Sequence, residues 1–253
     1  MRVLLTNDDG IDAPGIALLE RAARAISDDV WIVAPAGNQS SCSRAITQTR
    51  KVRCETRAEK KHAIEGTPGD CVIIALNGLL DPIPDVILSG VNRGSNLGED
   101  IGLSGTVGAC LQAAEQNVPA IAFSQVLANF SARETNWKSS EAYLSDCLQK
   151  WVPFVREEGG ALNINFPPVD DIKDVRGYRI APVGRRLLPI QVKSEKVADG
   201  VCEFDYRSLR NKTQLSPDGD VDLAYRGHIT VTPLHAGLAD DSRIAACNAH
   251  LNK

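Results

Sequence analysis

The sequence predicts an α/β fold: a doubly wound, mostly parallel sheet that carries a β-hairpin arm in its C-terminal third. Three observations lead there. Short apolar runs alternate with stretches of helical period as far as Phe166. Several of those runs are apolar on both faces, as strands covered by helices on each side must be. Beyond about Gly177 the pattern changes to short alternating runs and turn residues (Pro217, Asp218, Gly219) with little helical period, which reads as hairpins projecting from the body.

Taken in order, Arg2–Thr6 is the first doubly buried strand. Ile16, Leu19, Ala23 and Ile26 then repeat at helical spacing, with Pro14 near the helix start, where its missing N–H does no harm. Asp29–Ala34 (DVWIVA) is the next strand, and Lys51–Thr56, alternating charged and less polar residues, a half-exposed one. Asp70–Leu80 reads as a helix and Asp85–Leu88 (DVIL) as a buried strand. Thr106–Gln116 puts Val107, Cys110, Leu111 and Ala114 on one face of a helix, and Gly108, Ala109 and Ala113 are small enough for close packing on a sheet. Pro119–Ser124 is a strand, Leu144 to Val155 an amphipathic helix, and Ala161–Phe166 (ALNINF) a further strand. Ile229–Leu234 (ITVTPL) returns to the body. The chain thus divides into a core over 1–176, an arm over 177–226, and a returning strand with a tail over 227–253.

Composition narrows the function. At 253 residues and 43% hydrophobic content, a sizeable core can be buried. A net charge of -4 with both signs mixed along the chain argues against a nucleic-acid-duplex face or a membrane surface. No apolar run is long enough to span a bilayer, and Asn7, Asp8 and Asp9 interrupt the N-terminal run too early for a signal peptide. Seven cysteines without a CxxC pair fit a reduced, cytoplasmic set, and Cys71 and Cys110 are expected simply to pack. There is no GxGxxG after the first strand, no GxxxxGK[ST] and no GxSxG. The histidines (His62, His228, His235, His250) lack metal-ligand spacing. His235 follows a strand end, where a structural role is expected over an approach to the site.

Ligands of doubly wound sheets bind outside the carboxyl ends of the strands. Three polar, Gly-rich segments fall there: TNDDG, PAGNQSS (Pro35–Ser41) and the stretch from Ser89 to Thr106. They bring Asp8, Asp9, Ser40, Asn92, Asn96, Ser104 and Thr106, an all-oxygen set suited to hard divalent ions such as Mg²⁺, Mn²⁺ or Ca²⁺. Two adjacent carboxylates at the end of a buried strand repel each other, and a cation converts that repulsion into affinity. The plainer alternative is a turn with Asp12 capping the next helix. In GLSGTVGA, Gly102 and Gly105 allow close approach, Ser104 and Thr106 offer hydroxyls, and the following helix presents its N-terminus. A helix cap would use the same residues. A cation site and an anion cradle on one sheet edge point to a phosphate ester bridging both.

Together, NDDGIDAPGI, GNQSS, GTPGDCV, SGVNRGSNLGED, SGTVGA, LNINFP and ITVTPLH resemble the SurE family, the survival protein E nucleotidases, from Met1 to about His235. The resemblance implies a Rossmann-like, divalent-metal-dependent phosphatase acting on nucleoside 5′- and 3′-monophosphates, and in some members on polyphosphate. It implies a homodimer with exchanged arms, often paired into a homotetramer. It places the metal (Mg²⁺ or Mn²⁺) on Asp8, Asp9, Ser40 and Asn92, the phosphate on Asn96, Ser104, Gly105 and Thr106, and catalysis on Asp8, Asp9 and Asn96. Two positions depart from the family: Ser41 stands where glycine is usual, and Leu103 where tyrosine is common. Neither removes a ligand, but Leu103 takes away an aromatic that could touch the nucleoside. The expected reaction is attack by a metal-activated water that Asp8 or Asp9 orients; a phospho-aspartate route lacks its usual DxD spacing. The rivals are a nucleotide- or phosphate-sensing module without turnover and a metal hydrolase for an amide or ester.

Overall fold

Val3 and Leu5 point to one side of the first strand and Leu4 to the other, and all three are fully buried. In the computed structural model, which describes residues 1–128, 135–185, 193–205 and 215–237, this strand is β1 (Arg2–Thr6). The other elements follow in chain order as α1 (Pro14–Ala23), β2 (Asp29–Pro35), β3 (Cys54–Ala58), β4 (Lys61–Ile64), α2 (Pro68–Ile74), β5 (Val86–Arg93), α3 (Gly105–Glu115) and β6 (Ala120–Gln125). After them come α4 (Lys138–Glu158), β7 (Ala161–Phe166), β8 (Tyr178–Ile180), β9 (Lys193–Ala198), β10 (Val201–Asp205), α5 (Asp220–Tyr225) and β11 (Ile229–Leu234).

The main sheet has nine strands in the order β3-β4-β2-β1-β5-β6-β7-β11-β8. From β4 to β7 the strands are parallel, and numbered among themselves they stand 3-2-1-4-5-6. That order reverses between β1 and β5, the point at which such sheets bind ligands. Helices α1 and α4 bury Ile16, Leu19, Leu144 and Leu148 on one face. On the other, α2 and α3 bury Cys71, Val72, Val107 and Cys110, so Cys71 and Cys110 do pack as expected.

Several elements differ from expectation, each for a local reason. The half-exposed strand expected at Lys51–Thr56 lies at Cys54–Ala58 and is exposed throughout, because it is an antiparallel edge strand beside the four-residue β4, too short to read in the sequence. The helix expected from Asp70 begins at Pro68. Thr67 caps it, its hydroxyl oxygen accepting from the Asp70 N–H at 3.1 Å while the Asp70 carboxylate accepts from the Thr67 N–H at 2.9 Å. Ala75–Leu79 continues it as a π-helical turn.

The segment expected as an arm over 177–226 is not one piece. Within it, β8 joins the main sheet beside β11, and α5 packs against the body through Val221 and Ala224. The described hairpin is β9–β10, a separate antiparallel pair. Residues 186–192 and 206–214 of the expected arm, and 238–253 of the expected tail with His250, lie outside the described residues. Strand β11 returns as expected but runs antiparallel to β7, with Leu234 opposite Ala161. Its end therefore lies at the amino edge of the parallel strands, which carries His235 away from the ligand-binding edge.

Candidate active site

The chain leaves β1 in a turn closed by Asn7, whose side chain donates to the Gly10 carbonyl at 2.7 Å and accepts from its N–H at 3.2 Å. Gly10 has a φ of 107°, which favours glycine. The turn presents Asp8 and Asp9 in succession, and each is tied to a different neighbouring element. Thr106 in the first turn of α3 donates its hydroxyl to Asp8 Oδ1 at 2.5 Å, and its backbone N–H also faces that carboxylate. Asp9 Oδ2 accepts from the N–H of Arg93, the last residue of β5, at 3.0 Å. Gly105 makes the first approach possible, since a Cβ there would lie 2.8 Å from Asp8 Cβ and 2.9 Å from Cys42 Sγ.

The two carboxylates are poorly compensated. Burial pushes Asp8 up to about 6, with the charge of Asp9 adding to the rise and the Thr106 hydrogen bond opposing it. Asp9 is also raised by burial, against the pull of the Arg93 N–H and guanidinium. The free acceptor atoms around them are oxygens. Asn92 donates its amide nitrogen to the Gly94 carbonyl at 2.9 Å, which leaves its Oδ1 as an acceptor. The loop carrying Ser40 is held to Asp8 by the Gln39 N–H, which donates to the Asp8 carbonyl at 2.7 Å. It passes close over α3, where a Cβ at Gly108 would meet the Ser43 carbonyl at 2.2 Å. Gly108 thus makes room for this loop, while Ala109 and Ala113 pack on the sheet as expected. Among the described residues no group of three or more His, Cys, Asp and Glu is placed to hold a metal. A cation here needs amide and hydroxyl oxygens beside the aspartates, and Asn92 and Ser40 are of that type. The residues present fit a hard divalent ion.

The N-terminus of α3 is largely occupied by the protein itself. Ser104 is its N-cap, accepting the Val107 N–H on Oγ at 3.0 Å and the Gly108 N–H on its carbonyl at 2.9 Å. Thr106 serves Asp8, so its hydroxyl positions a carboxylate instead of facing an open anion site. What α3 offers an incoming anion is the N–H of Gly105 and the hydroxyl proton of Ser104.

Asn96 is held from two strands. Its N–H donates to Asn165 Oδ1 at 3.0 Å, and its carbonyl accepts from Asn163 Nδ2 at 2.7 Å and Asn165 Nδ2 at 3.1 Å. Its own Nδ2 donates to Ser124 Oγ at 2.8 Å. The sequence reads ALNINF as a strand and LNINFP as one of the motifs of the resemblance, with no role given to either asparagine. Its signal was present: two asparagines at i and i+2 lie on one face of a wholly buried strand, where each polar group needs a partner. Asp220, fully buried, was also missed; its carboxylate accepts from the N–H groups of Gly98 at 3.0 Å and Gly184 at 2.8 Å, anchoring the loop that leads to Ser104. Cys42 is close by, but burial and the Asp8 charge push its thiol up to about 11, so it is no nucleophile at neutral pH.

The family model described as survival protein SurE matches residues 3–188. The chain is 40% identical to the 5′-nucleotidase SurE of Rhizorhabdus wittichii, over 98% of this chain and 99% of that one. It is 36% identical to the 5′-nucleotidase SurE of Caulobacter vibrioides, over 96% and 94%. The solved structure of the SurE protein from Aquifex aeolicus matches at a TM-score of 0.86 with 27% identity, both chains covered in full. Fold, adjacent aspartates and full-length likeness agree, and the chain belongs to the SurE family.

Proposed function

We propose that this chain removes phosphate from nucleoside 5′- and 3′-monophosphates in a divalent-metal-dependent reaction, with water as the direct nucleophile. The observation that carries the reading is the Asp8–Asp9 pair, Asp8 buried and Asp9 partly buried, at the sheet's reversal point, with Asp8 against the N-terminus of α3. The relatives are named 5′-nucleotidases, which supports the 5′ part of this activity.

Asp8 Oδ2, Asp9, the Asn92 amide oxygen and the Ser40 hydroxyl are assigned to the metal, Mg²⁺ or Mn²⁺. When bound, the cation supplies Lewis acidity, neutralising phosphoryl charge and making water a stronger nucleophile at neutral pH. The protein's own groups do the rest. The Gly105 N–H and Ser104 hydroxyl hold phosphoryl oxygens, joined by Asn96, and stabilise them as charge spreads in the transition state. Thr106 keeps Asp8 oriented and ionised. Asp9, anchored through one oxygen to the Arg93 N–H, has the other available to orient water or take its proton.

The hairpin β9–β10 exposes Val197, Val201 and Phe204, and this surface is assigned to exchange between subunits of a homodimer or homotetramer. No described helix is long and apolar enough to cross a membrane; a cytoplasmic location is part of the proposal. Phosphate release from a panel of 5′- and 3′-monophosphates, with Mg²⁺ or Mn²⁺ and again with EDTA, tests the function. Release that EDTA abolishes supports it. Nucleotide binding without release under any metal would establish a sensor in its place.

A further inference from the structure

We propose that the cleft beside Asp9 receives the nucleoside half of the substrate, with the indole of Trp137 as the wall on which the base stacks. This rests on the nucleotidase reading and adds where the base lies and how it is recognised. The cleft encloses about 370 Å³ and shares Asp9 with the metal site. That volume is within the ~300–1,000 Å³ of small-ligand pockets. Its lining has a charged rim, Asp9, Asp12 and Arg93, and an apolar part formed by Pro14, Ala36 and Trp137. A nucleoside monophosphate divides in the same way, with its anionic end at the aspartates and a flat base at the far end.

The wall is held in place. Trp137 immediately precedes α4 and packs, half-buried, against the core cluster beneath α1 and α4. On the rim, Arg93 donates its Nε–H to Thr135 Oγ1 at 2.9 Å while its backbone N–H holds Asp9. Arg93 thus joins cleft and metal site through a single residue. Asp12 pairs with Lys61 at 3.6 Å, outside the apolar part. Among the described residues the cleft is lined by three charged side chains, small apolar residues and the Trp137 indole, with no uncharged amide or hydroxyl side chain of the kind that reads the edge of a base. Recognition is therefore by stacking, which every base satisfies. The cleft accepts purine and pyrimidine nucleotides alike, and the aromatic contact missing at Leu103 is supplied from Trp137.

The test compares AMP and CMP with ribose 5-phosphate, which carries the phosphate and sugar but no base. Trp137→Ala is expected to lower kcat/KM roughly tenfold on both nucleotides, the loss of one base–aromatic stack, and to leave ribose 5-phosphate unchanged. A second variant, Gly37→Leu, fills space from another wall of the same cleft, where a Cβ meets nothing within 4 Å. It is expected to discriminate in the same direction. Adenosine titrated into the metal-free protein should quench tryptophan emission in the wild type and not in Trp137→Ala. Equal losses on nucleotides and ribose 5-phosphate in both variants, or no quench in the wild type, would overturn the proposal. If the wild type releases no phosphate from any compound, the nucleotidase reading fails separately, and the adenosine titration still decides for or against the cleft.

Discussion

The hydroxyl of Thr106 reaches Asp8 Oδ1 at 2.5 Å across 98 positions of sequence, joining the end of β1 to the first turn of α3. The carboxylate sits at the positive end of the helix and faces the same residue's backbone N–H. These contacts favour its ionised form, while burial works against it. With Asp8 as the proposed metal ligand, Thr106 would serve that site through it.

Thr106→Val keeps the volume and removes the donor. A hydrogen bond to a charged group contributes about 1.5–3 kcal/mol, so the metal affinity of this variant should fall roughly 10- to 100-fold, as calorimetry would measure. Thr106→Ser should restore most of it. If Thr106→Val binds metal as the wild type does, Asp8 needs no such support.

Asp9→Asn retains the shape and removes a charge. Supporting contacts around metal ligands are typically worth 10- to 100-fold, so if Asp9 is the ligand proposed above, loss of its charge should cost at least about 100-fold in activity, with the thermal transition preserved. Wild-type turnover by this variant at saturating metal would remove Asp9 from the mechanism.

How far such roles can be read from sequence depends on whether partners are near in the chain. The apolar run at Arg2–Thr6 and the cap-and-glycine pattern before α3 are local, and both elements form where expected. Thr106 was legible as a polar residue at a helix start but not as a partner of Asp8, because that contact exists only once β1 and α3 pack. The same holds for Asn163 and Asn165, whose partner Asn96 lies 67 and 69 positions away. The direction of His235 depended on whether β11 ran parallel or antiparallel, which an apolar run does not encode. Trp137 has the spacing of an ordinary core residue and becomes a cleft wall only beside Pro14 and Ala36.

Asp8 also sets a pH dependence in the metal-free protein. Its folded value of about 6 lies above the ordinary carboxylate value of about 3.9. Between these values the folded state holds the proton and the unfolded chain does not, so stability falls as pH rises through that window. Above it the full penalty is present. Asp8→Asn removes the penalty, and the variant should be more stable than the wild type at neutral pH by on the order of 1–3 kcal/mol. Urea unfolding in EDTA at pH 4 and pH 7.5 measures it. The expected result is a gap between the two proteins that widens at the higher pH; a constant gap would mean that Asp8 titrates normally.

The hairpin makes a separate prediction. Two strands alone are marginally stable in water, and Phe204 is 62% exposed on this pair. If the arm is covered by a second subunit, Phe204→Asp should lower the molar mass seen by light scattering. An unchanged mass would place the subunit contact elsewhere.

Asn165 offers the sharpest test of how the site is positioned. It holds both backbone groups of Asn96, whereas Asn163 holds only the carbonyl, and Asn163 Oδ1 has no partner. Asn165→Ala leaves a buried N–H unpaired and should lower stability by about 1–3 kcal/mol. Displacing Asn96 by even about an ångström can cost two orders of magnitude in rate, so kcat should fall by about tenfold or more while metal affinity, proposed to rest on residues after β1 and β2 and in β5, stays near wild type. Asn163→Ala keeps the N–H bond and one of the two carbonyl bonds and should be milder on both counts. The reverse ranking, or a loss of metal affinity in step with kcat, would show that β7 supports the whole sheet edge instead of placing Asn96.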